Sequence, residues 1–335
     1  MKSVNLKKAW WLALPLATPL LAVACSSQNT NSEASENNDA PKPKTDVTLD
    51  SKTEEVVKST ELKIQYDAEN DYYEAADGKS GKELWDALFE IQKTKRDTNK
   101  KYQDLPDFYL SSEAFKDSVY EKDNSVLDFY SENPEAVDPY TYAEYTKGKS
   151  GAKVEGEGLN REHIIPQSWF NKALPMVADA NFVWPTDIKV NALRDNNPHG
   201  IVQNATTTTQ NGGKLGTDSE NEVVFEVIDE FKGDIARAYL YFALTYNDQS
   251  ITNKNSIFTV NYPFIQDKYQ QIYLNWHSND KVSKWDIKRN HDTYNDYAQI
   301  RNPFIDYPEL EKSLFGENPV PFVNKGVAIG VLENE

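Results

Sequence analysis

The chain has 335 residues, 39% of them hydrophobic and 12% aromatic, so it can bury a substantial core in one large domain or two small ones. A formal net charge of -17 argues against a protein that coats a polyphosphate with its whole surface. It leaves open one that meets a single phosphate in a local cationic cleft beside a divalent metal. The one cysteine, Cys25, excludes internal disulfides and multi-thiolate zinc sites, so any metal is held by oxygen or imidazole. That donor set points to magnesium, calcium or manganese.

At the start of the chain Lys2, Lys7 and Lys8 precede an apolar run from Ala9 to Ala24 that contains Pro15 and Pro19. This is the pattern of an export signal, and the run is short for a membrane span. Small residues lead into Cys25 in Leu21-Ala22-Val23-Ala24-Cys25-Ser26-Ser27, which resembles the processing box of bacterial lipoproteins, with Ala22 where that box usually carries leucine. The resemblance implies a signal peptide over 1–24, lipidation of Cys25 and a membrane-anchored chain at the extracellular face of the cell. Residues 25–80 read as a polar tether, with 13 acidic and 6 basic side chains over 26–80 and few large apolar residues. The folded domain is expected over 81–323, with 324–335 as a tail.

Within the domain, Leu84, Trp85, Leu88, Phe89 and Ile91 recur at helical spacing and predict an amphipathic helix. Ile235, Ala238, Tyr239, Phe242 and Leu244 predict a second over Asp234–Tyr246, and a third is expected from Val282 to Ile300. The stretches Val154–Pro166 and Phe182–Trp184 offer only short, irregular strands. No strand-helix alternation appears, so the expected fold is α+β, a single domain dominated by helices.

The chemistry concentrates in Asn160-Arg161-Glu162-His163-Ile164-Ile165-Pro166. Ile164 and Ile165 can anchor a strand in the core, while Glu162 and His163 place a carboxylate beside an imidazole. Strand alternation sends neighbouring side chains to opposite faces, so the two converge only if the strand ends at His163 and Pro166 forces a turn. A histidine can take a proton from water, and a carboxylate can hold a cation that polarises a phosphate. Downstream, Thr186 or Asp187 can cap a short helix carrying Asn191 and Arg194, three apart on one face. An amide oxygen suits a hard metal ion, and a guanidinium suits a phosphate.

These segments resemble the bacterial endonuclease I family, within the ββα-metal (His-Me finger) nucleases. Glu162-His163 with Pro166 is similar to the family's Glu-His pair followed by proline. Asp179 to Pro185, then Asn191 and Arg194, is similar to its Asp-x-His-x-Leu-x-Pro segment followed by Asn-x-x-Arg. Phe231-Lys232-Gly233-Asp234-Ile235-Ala236-Arg237-Ala238 and Arg301-Asn302-Pro303-Phe304-Ile305-Asp306 extend the likeness, which covers roughly 150–310.

The resemblance implies a fold organised around the ββα-metal motif. It implies His163 as general base, Glu162 and Asn191 as ligands of one divalent cation (Mg²⁺ first, Ca²⁺ or Mn²⁺ as alternatives), and cleavage of DNA, with RNA as a second substrate, to 5′-phosphate ends with little sequence preference. No protein partner is implied. Asn181 stands where the family carries histidine. The family's better-known members also have an insertion whose arginine contacts phosphate, whereas only 15 residues, none of them arginine, separate His163 from Asp179. Arg194 is the first candidate for that contact and Arg161 the second, with a supporting salt bridge as the competing reading for each. Asp179 is expected to hold a ligand by hydrogen bond rather than to be a third acid at the metal. His199, His277 and His291 are expected to be structural or exposed, and Asp234, Arg237, Arg301 and Asn302 to be structural. The competing function is a surface lipoprotein that binds a ligand on a catalytically dead nuclease fold.

Overall fold

The computed structural model describes residues 62–251, 253 and 255–332. The expected signal segment, Cys25 and the first part of the expected tether lie outside the described residues. In chain order the elements are β1 (Ile64–Asp67), α1 (Gly81–Lys95), α2 (Leu105–Ser111), β2 (Leu159–His163), β3 (Val183–Asp187), α3 (Ile188–Arg194), β4 (Asn204–Thr208), β5 (Lys214–Thr217), β6 (Val223–Glu226), α4 (Lys232–Thr245), α5 (Asp267–Asn279), α6 (Lys284–Asp296), α7 (Pro303–Asp306), α8 (Leu310–Leu314) and β7 (Val327–Val331). The strands form three small antiparallel sheets, β1-β7, β2-β3 and β4-β5-β6, so the fold is α+β as expected.

Helix α4 is the axis of the core. Every residue from Gly233 to Thr245 is buried, and α1, α5 and α7 pack against it. Gly233 lets it start where it does: a Cβ there would lie 2.0 Å from the Asp280 carbonyl oxygen, and the Gly233 N–H donates to Asp280 Oδ2 at 2.6 Å. The expected helix around Leu84 is α1, with Leu84, Trp85 and Leu88 inward and Lys93 and Lys95 in the last turn, where they favour the helix dipole.

Two expectations about element boundaries are corrected. The third helix is shorter than Val282–Ile300: α6 starts behind Ser283, which forms a capping box with Asp286, and it ends at Asp296. Helix α5 before it was not expected, because Gln270, Gln271, Asn275 and Ser278 dilute an inward face of Tyr269, Tyr273, Trp276 and His277. The expected tether and tail also overlap the folded unit. Strand β1 lies within 25–80 and β7 within 324–335, and they pair with each other, Ile64 opposite Val331 and Asp67 opposite Val327. Tyr72 and Tyr73, which follow β1, are buried in the core. Local composition undervalues a four-residue strand whose partner stands at the far end of the chain.

A buried ionic layer joins α4 to α6. Arg237 meets Asp286 at 2.9 Å and Asp234 at 3.4 Å, while Arg289 meets the same two acids at 2.8 and 3.3 Å. The Arg289 guanidinium also lies over the rings of Trp184 and Trp285. Arg301 pairs with Asp306 at 2.7 Å and donates to the Ala328 carbonyl, and Asn302 caps α7 and donates to the Arg237 carbonyl at 3.0 Å. These residues from two of the matched motifs are therefore structural.

Candidate active site

Strand β2 runs antiparallel to β3 with Glu162 opposite Trp184 and His163 opposite Val183, and β3 leads directly into α3. Asp187 makes that junction: its Oδ1 accepts from the backbone N–H groups of Lys189 and Val190, each at 2.8 Å. Its own N–H donates to Asp128 Oδ2 at 2.9 Å, and Tyr142 donates to its Oδ2 at 2.8 Å. At the entry to β2, Gly158 has φ +121° and a Cβ there would lie 2.5 Å from Gly148 Cα, so the close approach of these two backbones requires glycine.

The strand ends at His163, and that ending resolves the alternation problem. Tyr102, Arg161, Glu162, His163, Asn191 and Arg194 all line one open cavity of roughly 250 Å³. Four of the residues expected at the site therefore converge with Arg161 at one place, and Asp179 does not.

Glu162 is 1% exposed, and both of its hydrogen bonds reach Oε1: Tyr130 donates at 2.9 Å and Arg194 at 3.0 Å. Among the described residues no donor meets Oε2. Burial pushes the Glu162 carboxyl up, and Arg194 and the Tyr130 hydroxyl oppose that rise. Asn191, half-buried on α3, makes no side-chain hydrogen bond among the described residues. Two hard oxygens are thus left without protein donors on adjoining elements, as a divalent cation needs.

His163 is buried, and its Nε2 lies 3.2 Å from the Val177 carbonyl oxygen. A carbonyl can only accept, so Nε2 carries the proton and Nδ1 keeps its lone pair. Burial, with Arg194 and Arg161 adding positive charge, lowers the imidazole to about 4. The ring is therefore neutral and able to accept a proton across the physiological range.

The two arginines of the cavity are bonded differently. Arg194 is 1% exposed and its terminal nitrogens are occupied: Nη1 donates to Glu162 Oε1 and to the His163 carbonyl at 2.8 Å, and Nη2 donates to the Ile164 carbonyl and to Tyr239 at 3.3 Å. It positions Glu162 and the end of β2. Arg161 instead lies flat over the Tyr102 ring, 3.5 Å from its centroid, with Nη1 on the Tyr102 carbonyl at 2.9 Å and Nε unpartnered.

Asp179 is also placed differently from expectation. Its Oδ2 accepts from Tyr241 and Tyr246 at 2.7 Å each, and its Oδ1 from Asn181, so it fixes the turn before β3 to α4 and touches neither Glu162 nor Asn191. Asn181, in the position where the family carries histidine, serves the same turn. His199 and His277 are buried, and His291 bonds Asn295 within α6.

Sequence reasoning missed Tyr102 and Tyr130, which lie in a region without periodicity. Tyr130 reaches Glu162, and Tyr102 sits 5.5 Å from the His163 ring centroid while carrying Arg161. Their only signal is the chain's tyrosine richness, 19 in all.

The model of the family described as Endonuclease I matches residues 80–309, which include the whole β2-β3-α3 unit and α4 to α7. The chain belongs to the endonuclease I family. As an endonuclease I family protein it is a nuclease, hydrolysing phosphodiester bonds. It is similar to the extracellular ribonuclease of Bacillus amyloliquefaciens, 30% identical over 71% of this chain and 75% of that protein. It is also similar to the extracellular ribonuclease of Bacillus subtilis (strain 168), 29% identical over 71% of this chain and 76% of that one.

Proposed function

We propose that the chain is a divalent-cation-dependent endonuclease with little sequence preference, acting outside the cell on DNA and RNA and leaving 5′-phosphate ends. The observation that carries this reading is the convergence of Glu162, His163 and Asn191 on one cavity, with Glu162 Oε2 and the Asn191 amide free of protein donors. In this reading β2-β3-α3 is the ββα-metal unit. Glu162 and Asn191 would hold the cation, Mg²⁺ by preference and Ca²⁺ or Mn²⁺ as alternatives. A bound cation supplies Lewis-acid polarisation of the phosphodiester and offsets the charge that develops on the leaving oxygen.

The remaining chemistry belongs to the chain. His163 Nδ1 takes a proton from water as the water oxygen attacks phosphorus and the bond to the 3′-oxygen breaks. The Val177 carbonyl keeps the imidazole in that tautomer. Tyr130 and Arg194 hold Glu162 still, so the cation position is preformed. Arg161, which lines the cavity and has fewer protein acceptors than Arg194, takes the phosphate contact, and the Tyr102 ring beside it supports the guanidinium.

RNA joins DNA in this proposal because both curated relatives are named extracellular ribonucleases, and the same names support action outside the cell. Lipidation of Cys25 would keep the enzyme at the outer membrane face. Among the described residues no helix is long and apolar enough to cross a membrane. The test is incubation of the purified chain with plasmid DNA and with RNA, in Mg²⁺, in Ca²⁺ and in EDTA. Cleavage with a cation and none in EDTA is expected. Cutting that persists in EDTA would refute the metal mechanism, and no cutting in any condition would favour the dead-nuclease reading.

A further inference from the structure

Outside the catalytic cavity, a second group of carboxylates is drawn together by the loop between α2 and β2. Glu121, Glu132 and Asp138 each offer an oxygen, and these oxygens lie within 4.8 Å of one another. Acidic clusters on a surface usually share solvent and mean nothing. This one differs at Glu132, which is 2% exposed and whose Oε1 is sealed from solvent without any hydrogen-bond donor. A buried carboxylate oxygen with no donor carries a desolvation cost of several kcal/mol unless something positive meets it.

Nothing in the protein does. Among the described residues no lysine, arginine or histidine forms an ion pair with Glu121, Glu132 or Asp138. The nearby charges are further acids, Asp117 and Asp128. Burial and these neighbours push the Glu132 carboxyl up to about 9 and, with burial again leading, that of Asp138 to about 6. Oxygens no more than 4.8 Å apart can share one ion at the 2.3–2.6 Å typical of calcium–oxygen bonds. Calcium's tolerance of six to eight ligands leaves places for water, whereas magnesium prefers a tighter octahedron.

We propose that Glu121, Glu132 and Asp138 form a structural calcium site, separate from the catalytic cation position. Its role follows from what the loop carries. The N–H of Glu132 donates to the Asp128 carbonyl at 2.9 Å, Asp128 accepts the N–H of Asp187 at the start of α3, and Tyr130, between them, donates to Glu162. Calcium at Glu132 therefore braces the segment that positions both halves of the active site.

The test is calorimetric titration of CaCl₂ alone into the full-length chain and into Glu121→Gln and Glu132→Gln. The wild type is expected to bind one more Ca²⁺ per chain than either variant, whatever the catalytic position takes up. At a hundredfold excess over Kd its Tm should rise by about 5 °C more than that of either variant. Glu121 is exposed, so Glu121→Gln keeps the test valid if Glu132→Gln does not fold. Equal stoichiometry in wild type and Glu121→Gln overturns the site. A failed catalytic reading would change the shared equivalent and leave this difference untouched.

Discussion

Two buried polar networks lie within the same matched stretch of sequence and do opposite things. In the layer between α4 and α6, two arginines face two aspartates and each acid meets both arginines. In the cavity at the end of β2, Arg194 satisfies one oxygen of Glu162, while Glu162 Oε2 and the Asn191 amide are left without protein donors among the described residues. The second network differs in lining an open cavity, where a ligand can reach the atoms the protein leaves unpaired.

That contrast is broken or sharpened by substitutions on each side. The largest effect is expected from His163→Ala, which should lower kcat by about 10³-fold while Tm and cation binding stay near wild type. Full turnover in this variant would place the base elsewhere. Arg237→Ala should act on the other network, lowering stability by about 3–5 kcal/mol in urea denaturation because it leaves two buried carboxylates with one arginine between them. If that variant instead lost activity at unchanged stability, the α4 layer would belong to the catalytic apparatus.

A smaller effect separates the two arginines of the site. Arg161→Ala should reduce kcat/KM about tenfold with the fold intact. Arg194→Ala should lower both Tm and cation affinity, since it withdraws the partner of a buried Glu162. The mildest effect concerns pH. Burial alone would raise the Asp286 carboxyl, but Arg237 and Arg289 outweigh it and hold the group below the ordinary carboxylate range. A depressed folded pKa adds stability that is complete above the unfolded value of about 3.8 and is lost as pH falls through the folded one. Denaturation curves below about pH 4 should therefore be flatter for Asp286→Asn than for wild type. An unchanged acid slope would show that other carboxylates dominate it.

How much of this was legible in the sequence depended on range. Helices α1 and α4 announced themselves because their apolar residues repeat within the element. Glu162, His163 and Asn191 were singled out through the family resemblance, and what the fold adds is that they line one cavity. The role of Arg194 was not, since its fate turns on carbonyls of residues 163 and 164 and on Tyr239, which only the fold brings near. The contacts of Asp179 were hidden for the same reason: its partners, Tyr241 on α4 and Tyr246 just past its end, come more than sixty residues later. Tyr130 and Tyr102 gave no pattern at all, because each acts as a single hydrogen-bonding or stacking group on an irregular loop.

The pairing of β1 with β7 bears on how the molecule comes into being. A ribosome releases β1 before any other described element and β7 after all of them, so β1 has no mate until every other described element has been made. The loop this pairing closes spans nearly the whole folded chain, and its entropic cost falls late, on a core that α4 can already have assembled. Arg301 shares that delay, because the Ala328 carbonyl that accepts from its Nη2 belongs to β7. A chain cut short before Val327 would therefore lack more than a tail: its first strand would be unpaired and a buried arginine would lose an acceptor, exposing both ends of the fold to proteases at once.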